Sequence, residues 1–306
     1  MGLPSFRLLE LHDRLSRGEP LEKAKIVTML SIDSKTFQRD IDKLREYYSE
    51  KGLGDITYDR KHNCYRLEKK PDQLTKKEIF AICKILIESR AFNKQEFTEI
   101  VDKLLKLCQK DEVKQVYQAI INEKVHYLQL QHGKPLIDDI WKLRQTITEQ
   151  HVIEIAYKRA DNEIRQHEVK PVGIVFSEFY FYLLAFLMDD KVKYPTIFRV
   201  DRIQIIKVTD QTFPVPYHQR FSEAEFKKRI QFMYSGELKT VRFAFTGVLE
   251  ALLDKLPTAQ IEKEVEGGVI VNAEVFGNGI DMWLRSQGDR VKLLEEESYK
   301  YGNDTK

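Results

Sequence analysis

Apolar residues recur at helical intervals through the first fifty positions. Phe6, Leu8, Leu9, Leu11 and Leu15 predict a helix that Gly18 stops, and Leu21, Ala24, Ile26, Val27 and Leu30 predict a short second helix after Pro20. Phe37, Ile41, Leu44 and Tyr48, spaced four, three and four apart, predict a third. Ser31-Ile32-Asp33 breaks the pattern between the second and third, with Asp33 as the expected N-cap. The third helix opens at Ser34 and carries Lys35, Thr36, Gln38, Arg39, Lys43 and Arg45 off its buried stripe, on faces free for a partner. Ile56-Thr57-Tyr58 and Cys64-Tyr65-Arg66-Leu67 then flank the polar turn Asp59-Arg60-Lys61-His62-Asn63, which reads as a hairpin.

Glu68-Lys69-Lys70-Pro71-Asp72, charged and broken by proline, marks a boundary. From Lys76 to Leu130 helical spacing persists without a proline (Ile79, Ile82, Cys83, Leu86; Ile100, Leu104, Leu107; Val116, Ile120), which predicts a helical connector or dimerisation layer. Ile137 to Ile147 forms one more helix, and from Val152 the period changes to two: Ile153, Ile155 and Tyr157 alternate with polar neighbours, and short strands follow through Val208. Phe213-Pro214-Val215-Pro216 closes that unit and the charged segment Arg220 to Arg229 bridges to a last one. There the order is strand (Val241 to Phe245), helix (Val248 to Lys255), two strands (Gln260 to Glu264, Val269 to Phe276), helix (Gly279 to Ser286) and strand (Val291 to Glu295), a ferredoxin-like βαββαβ pattern. The expected class is α+β, with modules at 1–70, 71–135, 136–219 and 220–306.

Composition narrows the partners. With 42% hydrophobic and 32% charged residues the chain folds, and its 306 residues suit two or three domains. A net charge of +2 excludes a polybasic attraction to nucleic acid spread over the whole chain. Even residues 1–70 hold fifteen basic against twelve acidic side chains, so any nucleic-acid surface has to be local. Cys64, Cys83 and Cys108 are widely spaced and form no thiolate metal site, which together with the lack of an apolar leader suggests a reduced, cytoplasmic setting. The longest apolar run, Phe179 to Met188, has about half the roughly 20 residues a membrane-spanning helix needs and reads as a buried strand, so no membrane partner is expected.

Leu30-Ser31-Ile32-Asp33-Ser34-Lys35-Thr36-Phe37-Gln38-Arg39-Asp40-Ile41-Asp42-Lys43-Leu44 resembles the helix-turn-helix of DeoR-like regulators, with Ser31, Ile32 and Asp33 departing mildly from the family's glycine, β-branched and serine positions. The resemblance implies a winged helix-turn-helix that binds double-stranded DNA through Ser34, Lys35, Thr36, Gln38, Arg39 and Lys43, with Arg60 and Lys61 reaching phosphate from the wing. A solvated turn explains Arg60 and Lys61 as simply.

Lys170-Pro171-Val172-Gly173, Phe181-Tyr182-Leu183-Leu184-Ala185 and Phe198-Arg199-Val200-Asp201-Arg202-Ile203 together look like the WYL domain of bacterial transcription factors, an Sm-like β-barrel sensor. Phe181 stands where that family has tryptophan. It keeps an apolar anchor and loses an indole donor. The resemblance implies a nucleotide or single-stranded nucleic-acid effector bound by Tyr182, Arg199 and Arg202, since arginine forks suit phosphate and an aromatic ring suits a base. Read from the residues alone, a strand puts Tyr180, Tyr182, Leu184, Phe186 and Met188 on one face, and Tyr182 could equally be a core aromatic. Arg199 and Arg202 fall on opposite faces of a regular strand and reach one ligand only if the strand ends or bulges, while Asp201 could pair with either as a structural ion pair. The last module, with Arg285-Ser286-Gln287-Gly288-Asp289-Arg290-Val291 after a helix, resembles the C-terminal extension (WCX) that accompanies WYL domains and implies a homodimer.

Enzymatic motifs are lacking. No phosphate-cradling glycine loop follows a strand, and His167-Glu168 lacks the second histidine of a zinc helix. Asp138-Asp139 and Asp189-Asp190 are adjacent carboxylates whose side chains diverge. The expectation is a non-enzymatic DNA-binding transcription regulator without a cofactor or metal. The competing readings are a nucleic-acid-processing enzyme or defence effector using Asp189 or Asp201, and a structural adaptor.

Overall fold

The computed structural model describes residues 4–68, 74–108, 110–188, 194–215 and 220–298. Lys69 to Asp72 of the expected boundary, Asp189-Asp190 and Pro216 lie outside the described residues. Two compact units emerge, Met1–Arg90 with Lys94–Gln129, and Ala91–Asn93 with Leu130–Lys306.

The first unit begins α1 (Pro4–Ser16), β1 (Leu21–Glu22), α2 (Lys23–Leu30), α3 (Ser34–Lys51), β2 (Asp55–Asp59) and β3 (Cys64–Glu68). Helical spacing places Leu21 in the second helix, but Leu21 and Glu22 pair with Tyr65 and Cys64, giving the sheet order β1-β3-β2. A two-residue strand leaves no local period. Its partner strand, far along the chain, creates it. α2 ends on Ser31 in the left-handed region, φ 50°, and Ile32 donates to the Val27 carbonyl at 3.1 Å. Asp33 then caps α3, its Oδ1 accepting from the Thr36 amide at 2.8 Å. Phe37, Ile41, Leu44 and Tyr48 bury α3 against Leu11, Leu15, Leu21 and Ile26.

Asp40 is also inside, 2% exposed, and Arg7 of α1 binds it with two bonds, Nη2 to Oδ1 at 3.1 Å and Nε to Oδ2. Two turns further along α3 the Tyr48 hydroxyl meets His12 Nδ1 at 2.9 Å, and burial pushes the phenol pKa up to about 12. The unit continues with α4 (Lys76–Ser89), α5 (Lys94–Leu105) and α6 (Lys110–Val125). Thr75 and Glu78 form a capping box at the start of α4. Ile79, Cys83, Phe97, Val101, Val116 and Ile120 are buried, and the rings of Phe97 and Tyr127 stack 3.8 Å apart.

The second unit opens with α7 (Ile137–Glu149), followed by β4 (His151–Lys158), β5 (Ile164–Ser177), β6 (Tyr180–Leu187), β7 (Thr196–Arg199), a 3-10 turn Val200–Arg202 and β8 (Ile203–Thr212). The strand order is β7-β6-β5-β4-β8, all antiparallel. Laid flat, the edge strands β7 and β8 would stand about 19 Å apart. A three-residue turn joins them and spans roughly half that distance, so the sheet has to curl its two edges towards each other. Leu136 and Leu143 cover the inner face with Ile153, Ile155, Val169, Leu183 and Phe198.

Past this sheet, the charged segment expected as a bridge is α8 (Glu223–Arg229), capped by Ser222 and burying Phe226. β9 (Leu238–Phe245), α9 (Leu249–Lys255), β10 (Gln260–Val265), β11 (Gly268–Phe276), α10 (Gly279–Ser286) and β12 (Val291–Ser298) follow. Their sheet order, β10-β11-β9-β12, is that of two interleaved split βαβ units, with Val241, Phe243, Val271, Val275, Ile280 and Trp283 in its core. Among the described residues no helix is long and apolar enough to cross a membrane.

Two outcomes follow for the first unit. Arg7→Met leaves a buried carboxylate without its cation and destabilises this unit by about 3 kcal/mol in urea unfolding, whereas the double change Arg7→Met with Asp40→Leu recovers most of the loss. Because Tyr48 has its pKa raised in the folded state, its contribution to stability is full below pH 10 and is lost as pH rises towards 12. Tyr48→Phe flattens this alkaline limb, as stability measured across that window will report.

Candidate functional site

The predicted residues fall into two groups, one in each unit. On α3, Ser34, Lys35, Arg39 and Lys43 are exposed. Lys35, Arg39 and Lys43 recur every four residues and so form one basic stripe along the helix, opposite the buried stripe of Phe37, Ile41 and Leu44. Thr36 and Gln38 do not project freely. The Thr36 hydroxyl donates to Asp33 Oδ2 at 3.0 Å as part of the cap. Gln38 accepts from the Tyr65 hydroxyl of β3 at 2.8 Å and donates to Asp42 at 3.1 Å, which ties helix to hairpin. Arg45 adds a second tie, donating to the Ile56 carbonyl at 3.0 Å with its guanidinium 5.4 Å from the Tyr65 ring centre.

Arg60 and Lys61 are exposed at the hairpin tip. Asp59 organises that turn: its Oδ1 accepts from the amides of Lys61 and His62 at 2.9 and 3.2 Å, and its Oδ2 meets His62 Nδ1 at 2.6 Å. The His62 hydrogen bond holds the Asp59 carboxyl below its ordinary range. The hairpin therefore presents its two cations from an ordered turn.

The second group lies on β6 and β7. Register pairs Tyr182 with Arg199 across the two strands. β7 ends at Arg199, and the 3-10 turn brings Asp201 back beneath it: Arg199 Nε and Nη2 donate to the two Asp201 oxygens at 3.0 and 2.7 Å. Asp201 is buried, and the guanidinium also covers the ring of Tyr180, 3.4 Å from its centre. The ion pair considered as an alternative in the sequence is therefore formed. Burial opposes the charge of Arg199, and the bonds from Asp201 outweigh it, so the guanidinium pKa rises. Burial likewise raises the Tyr182 phenol, with Arg199 pulling the other way. Arg202, at the end of the turn, makes none of these contacts.

Tyr180 is the member of this cluster that sequence reasoning put on the right face without assigning it a role; its spacing of two from Tyr182 was the available signal. Tyr182 itself packs beside Leu184, Phe226 and Ile230, which fits the core-aromatic reading of its ring. Phe181, on the opposite face, lies against Phe176 and Phe92 at 5.1 and 5.8 Å, so the apolar anchor is kept.

Residues 140–208 match the family model of the WYL domain, so the chain carries a WYL domain that runs from α7 through most of β8. No curated protein matches the chain. Among the solved structures similar to it are two of low identity. One is proteasome accessory factor B/C (PafBC) of Arthrobacter aurescens, at 18% identity and a TM-score of 0.29, with 95% of this chain and 44% of that chain covered. The other is a CRISPR Cas-related protein, at 14% identity and a TM-score of 0.36, with 73% of this chain and 70% of that chain covered. The chain thus spans less than half the length of PafBC.

Replacing Arg199 with Met removes the cation that eases ionisation of Tyr182. The Tyr182 phenol pKa is expected to move further up, measured by NMR on ring-labelled tyrosine; a downward move would show that Arg199 does not act on this ring.

Proposed function

We propose that the protein is a sequence-specific, DNA-binding transcription regulator whose WYL domain senses a nucleotide or single-stranded nucleic-acid effector. The observation that carries the DNA-binding half is the exposed stripe Lys35, Arg39 and Lys43 on α3, a helix locked from behind by its apolar face and the Arg7–Asp40 pair. In this reading α2 and α3 are the helix-turn-helix, β2 and β3 the wing, and Ser34, Lys35, Arg39 and Lys43 meet bases or phosphates in the major groove while Arg60 and Lys61 meet phosphate. Thr36 and Gln38 then serve mainly to hold cap and wing, each keeping two hydrogen-bonding sites for further polar contacts.

The sensing half rests on Arg199 stacked on Tyr180 beside Tyr182. A phosphate competes with Asp201 for the guanidinium fork, and a base stacks on the freed tyrosine face. Exchange of Asp201 for an effector phosphate gives the turn Val200–Arg202 two states and supplies a switch, with Arg202 recruited in the bound one. Operator affinity changes if effector binding favours one arrangement of two protomers over another. A homodimer reading a pseudo-palindromic operator, with the C-terminal split βαβ sheet as the WCX extension, completes the proposal. The enzyme reading is less supported, because Asp201, one of its candidate metal ligands, is held by both arms of Arg199.

Arg39→Ala is expected to weaken operator binding about tenfold with the oligomeric state unchanged, and each lysine removed from the stripe to lower the salt slope of log Kobs by about one per protomer. Gel shifts across a salt series check both; an unaltered affinity and slope would remove α3 from the interface. The double change Arg199→Ala with Arg202→Ala is expected to abolish the effector response while sparing basal DNA binding, and a response of wild-type size would remove the sensor assignment.

A further inference from the structure

A concavity of the second unit, about 390 Å³, lies along β6 from Tyr182 and has no role in the reading above. Its lining includes Arg144 of α7, Lys170 of β5 and Arg220, together with the rings of Phe186, Phe213 and Phe221. Phe186 is four residues beyond Tyr182 on the same strand, about 13 Å away, so the two places are distinct. Phe186 and Phe221 meet edge to face at 6.3 Å and form a wall.

The local sequence builds this pocket. Lys170 stands opposite Phe186 in the β5–β6 ladder, and the register shifts between Pro171 and Gly173, where a proline without an amide hydrogen is tolerated. Gly173 lets Glu223 approach: a β-carbon there would lie 2.6 Å from Glu223 Cγ. The Glu223 carboxylate accepts from the Ile174 amide at 2.9 Å. Glu223, the one carboxylate among the described lining residues, is thereby held against the β5 backbone, and Arg144 brings an exposed guanidinium to the pocket. The Lys170-Pro171-Val172-Gly173 motif thereby acquires a local purpose.

We propose that this pocket binds a small flat aromatic ligand bearing one anionic group. The phenyl walls suit a ring, the exposed Arg144 guanidinium suits a carboxylate or a phosphate, and the volume, near the lower end for small-molecule sites, suits one ring system and excludes a nucleic-acid strand. An occupant touches Arg220 and Phe221, the residues that lead into α8, so it bears directly on the start of that helix. The site is independent of the Tyr182–Arg199 assignment and stands or falls separately from it.

The test is calorimetric titration of the full chain with two probes, 4-hydroxybenzoate and adenosine 5′-monophosphate, which separate a carboxylate from a phosphate source. At least one is expected to bind saturably. Arg144→Glu, on an exposed position that keeps the fold, is expected to weaken that binding about fivefold or more, and Phe213→Ala about threefold, each in line with loss of one charged or ring contact. The proposal is overturned if neither probe binds at millimolar concentration, if both variants bind within twofold of the wild type, or if Arg199→Ala removes the binding while Arg144→Glu leaves it intact.

Discussion

Strand β6 is buried on both faces, and the second unit is arranged around that constraint. Leu183 and Ala185 point into the curled sheet beside Phe198, while Tyr182 and Leu184 face Phe226 and Ile230. A strand with two apolar faces cannot stay at a surface without exposing one of them. α8, which the sequence presents as a charged bridging segment, supplies the second cover through Phe226. The same packing sets the side on which Tyr180, Tyr182 and Phe186 emerge, so the position of both candidate ligand sites follows from an apolar requirement and not from ligand chemistry.

Charge inside the protein does a different job in each unit. Arg7 and Asp40 cross-link α1 to α3 in a largely dry setting, where a lone carboxylate would be costly, and so hold the orientation of the helix that bears the basic stripe. Arg199 and Asp201 are only two residues apart and close a turn, with the arginine partly open to solvent. The first pair is suited to rigidity. The second is suited to exchange, since an anion arriving from solvent offers the guanidinium the same bidentate partner.

Near-neutral overall charge is compatible with a nucleic-acid surface because position matters more than total. Lys35, Arg39 and Lys43 gain their common direction from the helical period, while several other cations of this unit are occupied at home: Arg14 with Glu10, Arg17 with Asp13, Lys25 with Glu22. Local pairs of this kind neutralise the surface between the groups left to act outward.

Period, caps and turns were legible in the chain alone. The spacing of Phe37, Ile41, Leu44 and Tyr48, the Asp33 cap, the turn from Asp59 to Asn63 and the alternation of Ile153, Ile155 and Tyr157 along β4 all arise from interactions within a few residues, which is where sequence pattern carries information. Three features were settled by folding. Leu21 became a strand because β3 offered it a ladder. The charged segment 220–229 became helical over Glu223–Arg229, where Phe226 found a sheet to cover. Arg199 chose Asp201 over solvent because β7 stopped there. Each depends on a partner brought near by the rest of the chain, and a pattern of residue types does not record which of several available partners the packed chain will present.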